Sequence, residues 1–464
     1  MSARAALAAL LLAACGRAPP AHPNVVVWLV DTLRADHLGC YGEPRQTSPR
    51  LDALADDGVL FENVHAASNW TQPAVAALLS GRLPGAFDAS FGSPLPAGLP
   101  LLAERFAQAG YATAGYTCTV ATAARFGFAR GFHEYDELDE LLDMEARRKR
   151  EDAVYGADRL VDAATRFLQR RAQPATAAPD TRPFFLWLHS VDPHAPYGGR
   201  TSGESFAGPY DGPIDGSVES IANAGRNGYE YTEADRQHVE DLYDDDVRFN
   251  DQQLGRLVDE LGRLGLLADT LIVVVADHGE ELWERGALGH GNTDLHAELT
   301  HVPLVMHWPE GLPDGLRVPA LVGGVDLAPT LLELCGLLPL PEADGVSRAG
   351  LARGAGGAGA AALLLDRCRP QDPAGALRTA DWLLHGGDDP AQAGLFDLRN
   401  DPGERRDLSG VHEEDAARMS EALTGLRARR DAAWTAVGGG GAAVPPDAAT
   451  LEKLRALGYL GEGQ

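Results

Sequence analysis

Asn24-Val25-Val26-Val27-Trp28-Leu29-Val30 is an unbroken apolar run that stops at a carboxylate, Asp31. The pattern recurs twice: Leu271 to Ala276 (LIVVVA) stops at Asp277, and Phe184 to Leu188 (FFLWL) stops at His189. Continuous rather than alternating apolar runs suit strands buried on both faces of a parallel sheet. Between them lie stretches with apolar residues at three-to-four spacing, namely Ser48 to Asp57, Leu101 to Ala109 and Asp251 to Leu264, which predict helices. Strands alternating with helices indicate an α/β sandwich. In that architecture ligands bind beyond the C-terminal ends of the strands, where Asp31, His189 and Asp277 converge.

The chain has 464 residues, with 40 Lys and Arg against 67 Asp and Glu, a formal net charge of −27. The length supports a large buried core and a second, smaller unit. The charge excludes nucleic acid, which requires clustered cations to displace counterions, and it excludes polybasic docking on lipid. An anionic substrate must therefore be drawn in by local charge, because the field of the whole chain repels it.

The first residues, MSARAALAALLLAACG, place Arg4 before an apolar run from Leu7 to Ala14 that is too short to span a bilayer. Leu12-Ala13-Ala14-Cys15 resembles a bacterial lipobox, in which the cysteine is lipidated after cleavage; an ordinary secretory leader is the alternative. This predicts a cell-envelope protein, on the periplasmic side or the surface, that meets the membrane only through an anchor on Cys15. Cys40, Cys118, Cys335 and Cys368 lack C-x-x-C spacing, which excludes a thiolate zinc cluster by pattern and leaves disulfides unassigned. Arg170 to Arg182 reads as a polar connection. Gly198 to Tyr231 reads as a long irregular loop, either a substrate-gating lid or a surface elaboration. After about Val346 the chain turns Gly/Ala-rich, which suggests a smaller C-terminal subdomain.

Three clusters carry chemistry. In Asn69-Trp70-Thr71-Gln72-Pro73, Pro73 suits the first helical position, so Thr71 falls at a helix N-terminus where backbone N–H groups favour an anion. Its hydroxyl is either a cap or a nucleophile. Asp277-His278 ends a strand and, with Asp31, forms a mixed oxygen and nitrogen set suited to a divalent metal. Five of the 14 histidines fall between positions 278 and 307. His290, between two glycines, is the ligand or substrate-binding candidate, while His296, His301 and His307 read as packing or surface residues. In His189 to Tyr197, prolines present Asp192 and His194 from a rigid turn, either to position a substrate oxygen and protonate a leaving group or to complete a turn network.

Together these stretches resemble the sulfatase branch of the alkaline-phosphatase-like superfamily, from Asn24 to about Pro309. The resemblance rests on Val30 to Gly42 (VDTLRADHLGCYG), the helix start at Thr71, Asp192 to Tyr197 (DPHAPY) and Ala276 to Glu281 (ADHGEE). A tail match runs from Gly394 to Glu404. The resemblance implies an alkaline-phosphatase-like three-layer sandwich with a central, mostly parallel sheet. It divides the chain into a leader (1–15), a tether (16–23), a catalytic domain (24–345) and a C-terminal subdomain (346–464).

The match departs from the family at several positions. The family nucleophile, a Cys or Ser converted to formylglycine, falls at Thr71, and the arginine four residues on falls at Val75. The paired aspartates become Asp31-Thr32, and a lysine and a histidine fall at Cys118 and Val120. Asp31, Thr71, Asp277 and His278 instead resemble the metal site of threonine-using relatives such as lipoteichoic-acid synthases and phosphoethanolamine transferases. That resemblance implies a divalent ion (Mn, Zn, Ca or Mg) that lowers the pKa of the Thr71 hydroxyl. It implies that His194 assists the leaving group and that His290 binds a substrate oxyanion or a second metal.

A formylglycine hydrate can expel sulfate by collapsing to the aldehyde, whereas a threonine ester must be cleaved by a further attack. This favours hydrolysis or transfer of a phosphate ester, on a small or a glycan- or lipid-linked substrate. The alternatives are a sulfatase that uses unmodified threonine and a non-catalytic binding lipoprotein.

Overall fold

β1 (Asn24–Val30) lies inside the main sheet, and its six apolar residues are completely buried. In the computed structural model the described residues are 22–86, 93–138, 156–172, 179–198, 205–226, 228–291, 295–366, 375–386 and 394–436. Cys15, Cys368 and nearly all of the expected leader and tether lie outside them.

β1 is flanked by β5 (Phe184–Ser190) and β6 (Thr270–Ala276), both parallel to it. β3 (Ala112–Thr117) and β4 (Glu134–Glu137) continue the sheet beyond β5. On the other side come β9 (Leu304–His307), β2 (Val59–His65) and β10 (Leu316–Gly323), giving the eight-stranded order β10-β2-β9-β6-β1-β5-β3-β4. β9 runs antiparallel to both of its neighbours and the other seven strands are mutually parallel. Burying the apolar side chains of β1 alone contributes on the order of 10 kcal/mol. That exceeds the several kcal/mol of desolvation per buried charge incurred at its end.

Helices cover both faces. α1 (Pro49–Asp56), α4 (Ala157–Ala172) and α6 (Glu233–Arg263) pack together on one side, and α2 (Thr71–Ser80), α3 (Leu102–Gln108) and α8 (Leu327–Leu334) on the other. α5 (Val218–Arg226), α7 (Ala297–Thr300) and α9 (Ala349–Ala352) are shorter. A short hairpin, β7 (Glu281–Leu282) with β8 (Leu288–Gly289), follows β6. The C-terminal region forms a four-stranded antiparallel sheet, β11 (Leu363–Asp366), β12 (Gly375–Arg378), β13 (Trp382–Gly386) and β14 (Gly394–Asp397), covered by α10 (Glu413–Ala436). One face of this sheet packs under α10 and the other against Leu321 of β10 and Leu295, whereas Ala349 and Ala352 belong to the main core. No described helix is long and apolar enough to cross a membrane.

α6 starts 18 residues before the predicted Asp251; its buried face mixes Val239, Leu242, Tyr243 and Val247 with Asp244, Asp245, Asp246 and Asn250, and the acids obscure the helical period. These buried acids have partners. Asp244 takes His37 and Arg45, while Asp245 and Asp246 accept from Phe206 N and Gly198 N in the first part of the expected irregular loop. That loop holds α5, and α4 extends into the expected polar connection as far as Ala172. Cys40 and Cys335 form no disulfide.

Candidate functional site

Strand register builds the site. Val30 pairs with Ala276 on one side and Ser190 on the other, so the next residues, Asp31 and Asp277, leave the sheet side by side. Asp31 is held at this exit by its N–H, which donates to Ser190 O at 2.9 Å. Asp277 Oδ1 accepts from His278 N at 2.8 Å and from Thr32 N at 3.3 Å, and its Oδ2 has no hydrogen-bond donor among the described residues.

His278 Nδ1 donates to Gly279 O at 2.9 Å, which leaves the lone pair on Nε2. That nitrogen lies 3.2 Å from Thr71 Oγ1 and 3.6 Å from both Asp31 Oδ1 and Asp277 Oδ2. One ligand atom from each of Asp31, Asp277 and His278 falls within 4.8 Å of the others, and all three side chains are buried. Burial raises the Asp277 carboxyl well above its usual range and holds His278 neutral. Two adjacent buried carboxylates facing an imidazole lone pair are a candidate donor set for a divalent cation.

Thr71 is the first residue of α2 rather than a residue before it, so Pro73 occupies the third position. Proline is tolerated there because first-turn N–H groups have no helical acceptor. Trp70 is the N-cap and makes no side-chain cap bond. The Thr71 hydroxyl is therefore turned towards His278 and does not cap the helix. All ten residues of α2 are buried and its first turn carries no acidic side chain, so its N–H groups remain suited to an anion.

Three imidazoles adjoin this centre. The His290 ring lies 4.5 Å from that of His278 and 5.0 Å from that of His194, and its edge faces Trp70 at 6.0 Å. His290 Nδ1 donates to Glu280 Oε1 at 2.8 Å, while His194 Nδ1 donates to Ala195 O at 2.7 Å. His189, wholly buried beside Thr122, is pushed down to about 3 by desolvation and stays neutral. Val75, Cys118 and Val120, where the resembled family carries cations, are buried in the core. Arg34, close in sequence to Asp31, already binds Asp36, Glu284 and Glu280 O.

Sequence reasoning passed over Glu280 although it lies within the ADHGEE stretch; a carboxylate next to a predicted metal pair was its only signal. It also passed over Glu404. Glu404 groups with His296 and His385 in a second cluster, but both of its oxygens are already engaged by protein donors. Arg378 binds Oε1 at 2.7 Å, and His296 Nδ1 and Ala297 N bind Oε2 at 2.7 and 3.1 Å. This cluster is an ion-pair hub that joins the C-terminal sheet to α7.

Residues 23–337 match the profile of the family described as Sulfatase, and residues 292–429 match N-sulphoglucosamine sulphohydrolase, C-terminal. The chain is 28% identical over 498 residues to arylsulfatase A of Homo sapiens, with 92% of each chain covered. It superposes on the structure of BT4656 in complex with its substrate D-glucosamine-2-N,6-O-disulfate with a TM-score of 0.70, at 19% identity, covering 89% of this chain and 98% of that one. It superposes on a phosphonate monoester hydrolase from Silicibacter pomeroyi with a TM-score of 0.67, at 24% identity, covering 88% and 96%. At such identities the two structures establish a shared fold.

Proposed function

The chain belongs to the sulfatase family, and from that premise we propose that it is a metal-dependent hydrolase or transferase that cleaves a phosphate or sulfate ester through Thr71. The observation that carries this reading is one contact set: His278 Nε2 lies 3.2 Å from Thr71 Oγ1 and 3.6 Å from a carboxylate oxygen of each aspartate. Asp31, Asp277, His278 and the Thr71 hydroxyl would hold the divalent ion, which supplies Lewis-acid charge and acidifies that hydroxyl. Thr71 attacks the phosphorus or sulfur, and the first-turn N–H groups of α2 stabilise the oxygens that gain charge. His194 protonates the departing oxygen, and His290, oriented by Glu280, binds a substrate oxyanion.

A threonine ester cannot collapse to an aldehyde, which favours a phosphate ester; the phosphonate monoester hydrolase shows that this fold also accommodates phosphorus chemistry. Family membership and the match to arylsulfatase A support a second reading, a sulfatase acting with unmodified threonine. The substrate class is an anionic ester, and a glycan-linked one is in keeping with the disulfated sugar bound by BT4656.

The test is metal content of the purified protein together with hydrolysis of p-nitrophenyl phosphate, bis-p-nitrophenyl phosphate and p-nitrophenyl sulfate. Cleavage of either phosphorus ester that is lost in Thr71→Ala supports the first reading, and cleavage of the sulfate alone supports the second. Full activity in Thr71→Ala on every cleaved substrate would rule out covalent catalysis. A protein that neither binds nor responds to a divalent ion would instead be a non-catalytic binding module. We also propose lipid attachment at Cys15 in a bacterial envelope. Radiolabelled palmitate should enter the wild type and not Cys15→Ser.

A further inference from the structure

Between Asp31 and Arg34 the chain turns sharply, and Thr32 adopts φ +57°, a left-handed conformation that a β-branched side chain rarely holds. The turn matters to the site because Thr32 N–H donates to Asp277 Oδ1, linking the loop that bears Asp31 to the loop that bears Asp277. Left to itself, a threonine here would relax to negative φ, withdraw that donor and rotate Asp31.

A distant side chain on α6 opposes the relaxation. The Tyr243 hydroxyl, from the middle of α6, donates to Thr32 O at 2.7 Å and accepts from Arg34 N at 3.0 Å, so it grips both ends of the strained turn. Tyr243 is fully buried and its ring packs edge-on against His37 at 4.9 Å. His37 is itself fixed by Asp244 at 2.7 Å, so the phenol has no freedom to swing away. Arg34 extends the brace, since its guanidinium donates to Glu280 O at 3.1 Å, just beyond His278.

We infer that Tyr243 is a positioning residue for the metal centre: it holds Thr32 in its left-handed turn and thereby sets the spacing of Asp31 and Asp277. The inference rests on the metal-binding reading of Asp31, Asp277 and His278, and the test keeps the two apart. The full chain, stripped with a chelator, is titrated with Mn²⁺ and separately with Zn²⁺ by calorimetry, and its metal-free melting temperature is recorded alongside.

Tyr243→Phe should bind about tenfold more weakly than the wild type, the lower end of the effect of losing a direct partner of a metal ligand, because the phenol reaches Asp277 only through Thr32. Thr32→Gly removes the strain, since glycine adopts positive φ freely. Tyr243→Phe on that background should therefore bind within about threefold of Thr32→Gly alone, a difference well below the typical loss for an outer partner. If Tyr243→Phe does not fold, this second comparison decides. Wild-type affinity in a Tyr243→Phe protein that only melts earlier would make the tyrosine merely structural and overturn the inference. So would a double variant at least about tenfold weaker than Thr32→Gly, the lower end of the outer-partner effect. If the wild type binds neither ion, the metal reading falls and this inference falls with it.

Discussion

The Asp277 side chain is buried, and its protonation ties the proposed metal binding to stability. Burial raises its carboxyl in the metal-free protein. An acid whose folded pKa is raised contributes stability that is present at low pH and lost as pH rises through the folded value. Chelator-treated protein should therefore melt at a lower temperature at pH 8 than at pH 5. Mn²⁺ should raise the melting temperature most at pH 8, and Asp277→Asn should flatten the trend. Scanning calorimetry at the two pH values checks all three. At the neighbouring Thr71, the hydroxyl rather than the methyl group matters. Thr71→Ser should keep activity within about tenfold, whereas Thr71→Ala should lose about 10³-fold or more, as when a nucleophile is removed. Steady-state rates on the best chromogenic ester separate these outcomes.

Among the elements, the strands that make the site were the most legible in the sequence. β1, β5 and β6 are continuous apolar runs that each end at or next to a polar residue, and Asp31, Asp277 and His278 sit at strand ends because the three strands are in register. The start of α6 was illegible, because Asp244, Asp245 and Asp246 interrupt its buried apolar face and are satisfied by residues far away in the chain. The same reason hid Tyr243, whose partners Thr32 and Arg34 lie about two hundred positions earlier. Local pattern reports what a residue is and not which distant group it meets. The hairpin β7–β8 delivers His290 directly, and the next residue, Gly291, has φ +74° and lies against the Trp70 ring, leaving no space for a Cβ. Gly291→Ala should push Trp70 and His290 apart. It should lower kcat by about tenfold or more while metal affinity stays close to wild type, because small misplacements of a catalytic group are costly. Parallel rate and titration measurements check this.

At the scale of the whole molecule, Glu404 joins the C-terminal sheet to the body that carries the site. Burial alone would raise its carboxyl, but the His296 hydrogen bond and the Arg378 guanidinium outweigh it and hold the group at about 2. Arg285, from the β7–β8 hairpin, donates to the Glu404 backbone oxygen at 2.8 Å, so the hub reaches the segment before His290. An acid whose folded pKa is depressed contributes stability that is present above its unfolded value and lost as pH falls through the folded one. Between about pH 4.5 and pH 2 this group alone should remove about 3 kcal/mol. Urea unfolding of Glu404→Gln should be weaker than wild type at neutral pH and less steep across that window; equal slopes would exclude the hub as a source of acid sensitivity.

The register of β1 with β5 and β6 also bears on how such a protein can change. Sliding β1 by one residue would turn its side chains to the opposite faces and separate Asp31 from Asp277, so insertions within these strands are barred. Segments beyond the reacting groups, such as the long stretch between Tyr197 and α6, are under no such constraint. New substrate pockets can therefore be acquired by exchanging those segments while the reacting groups stay in place. Reactivity and selectivity in this architecture are separately heritable.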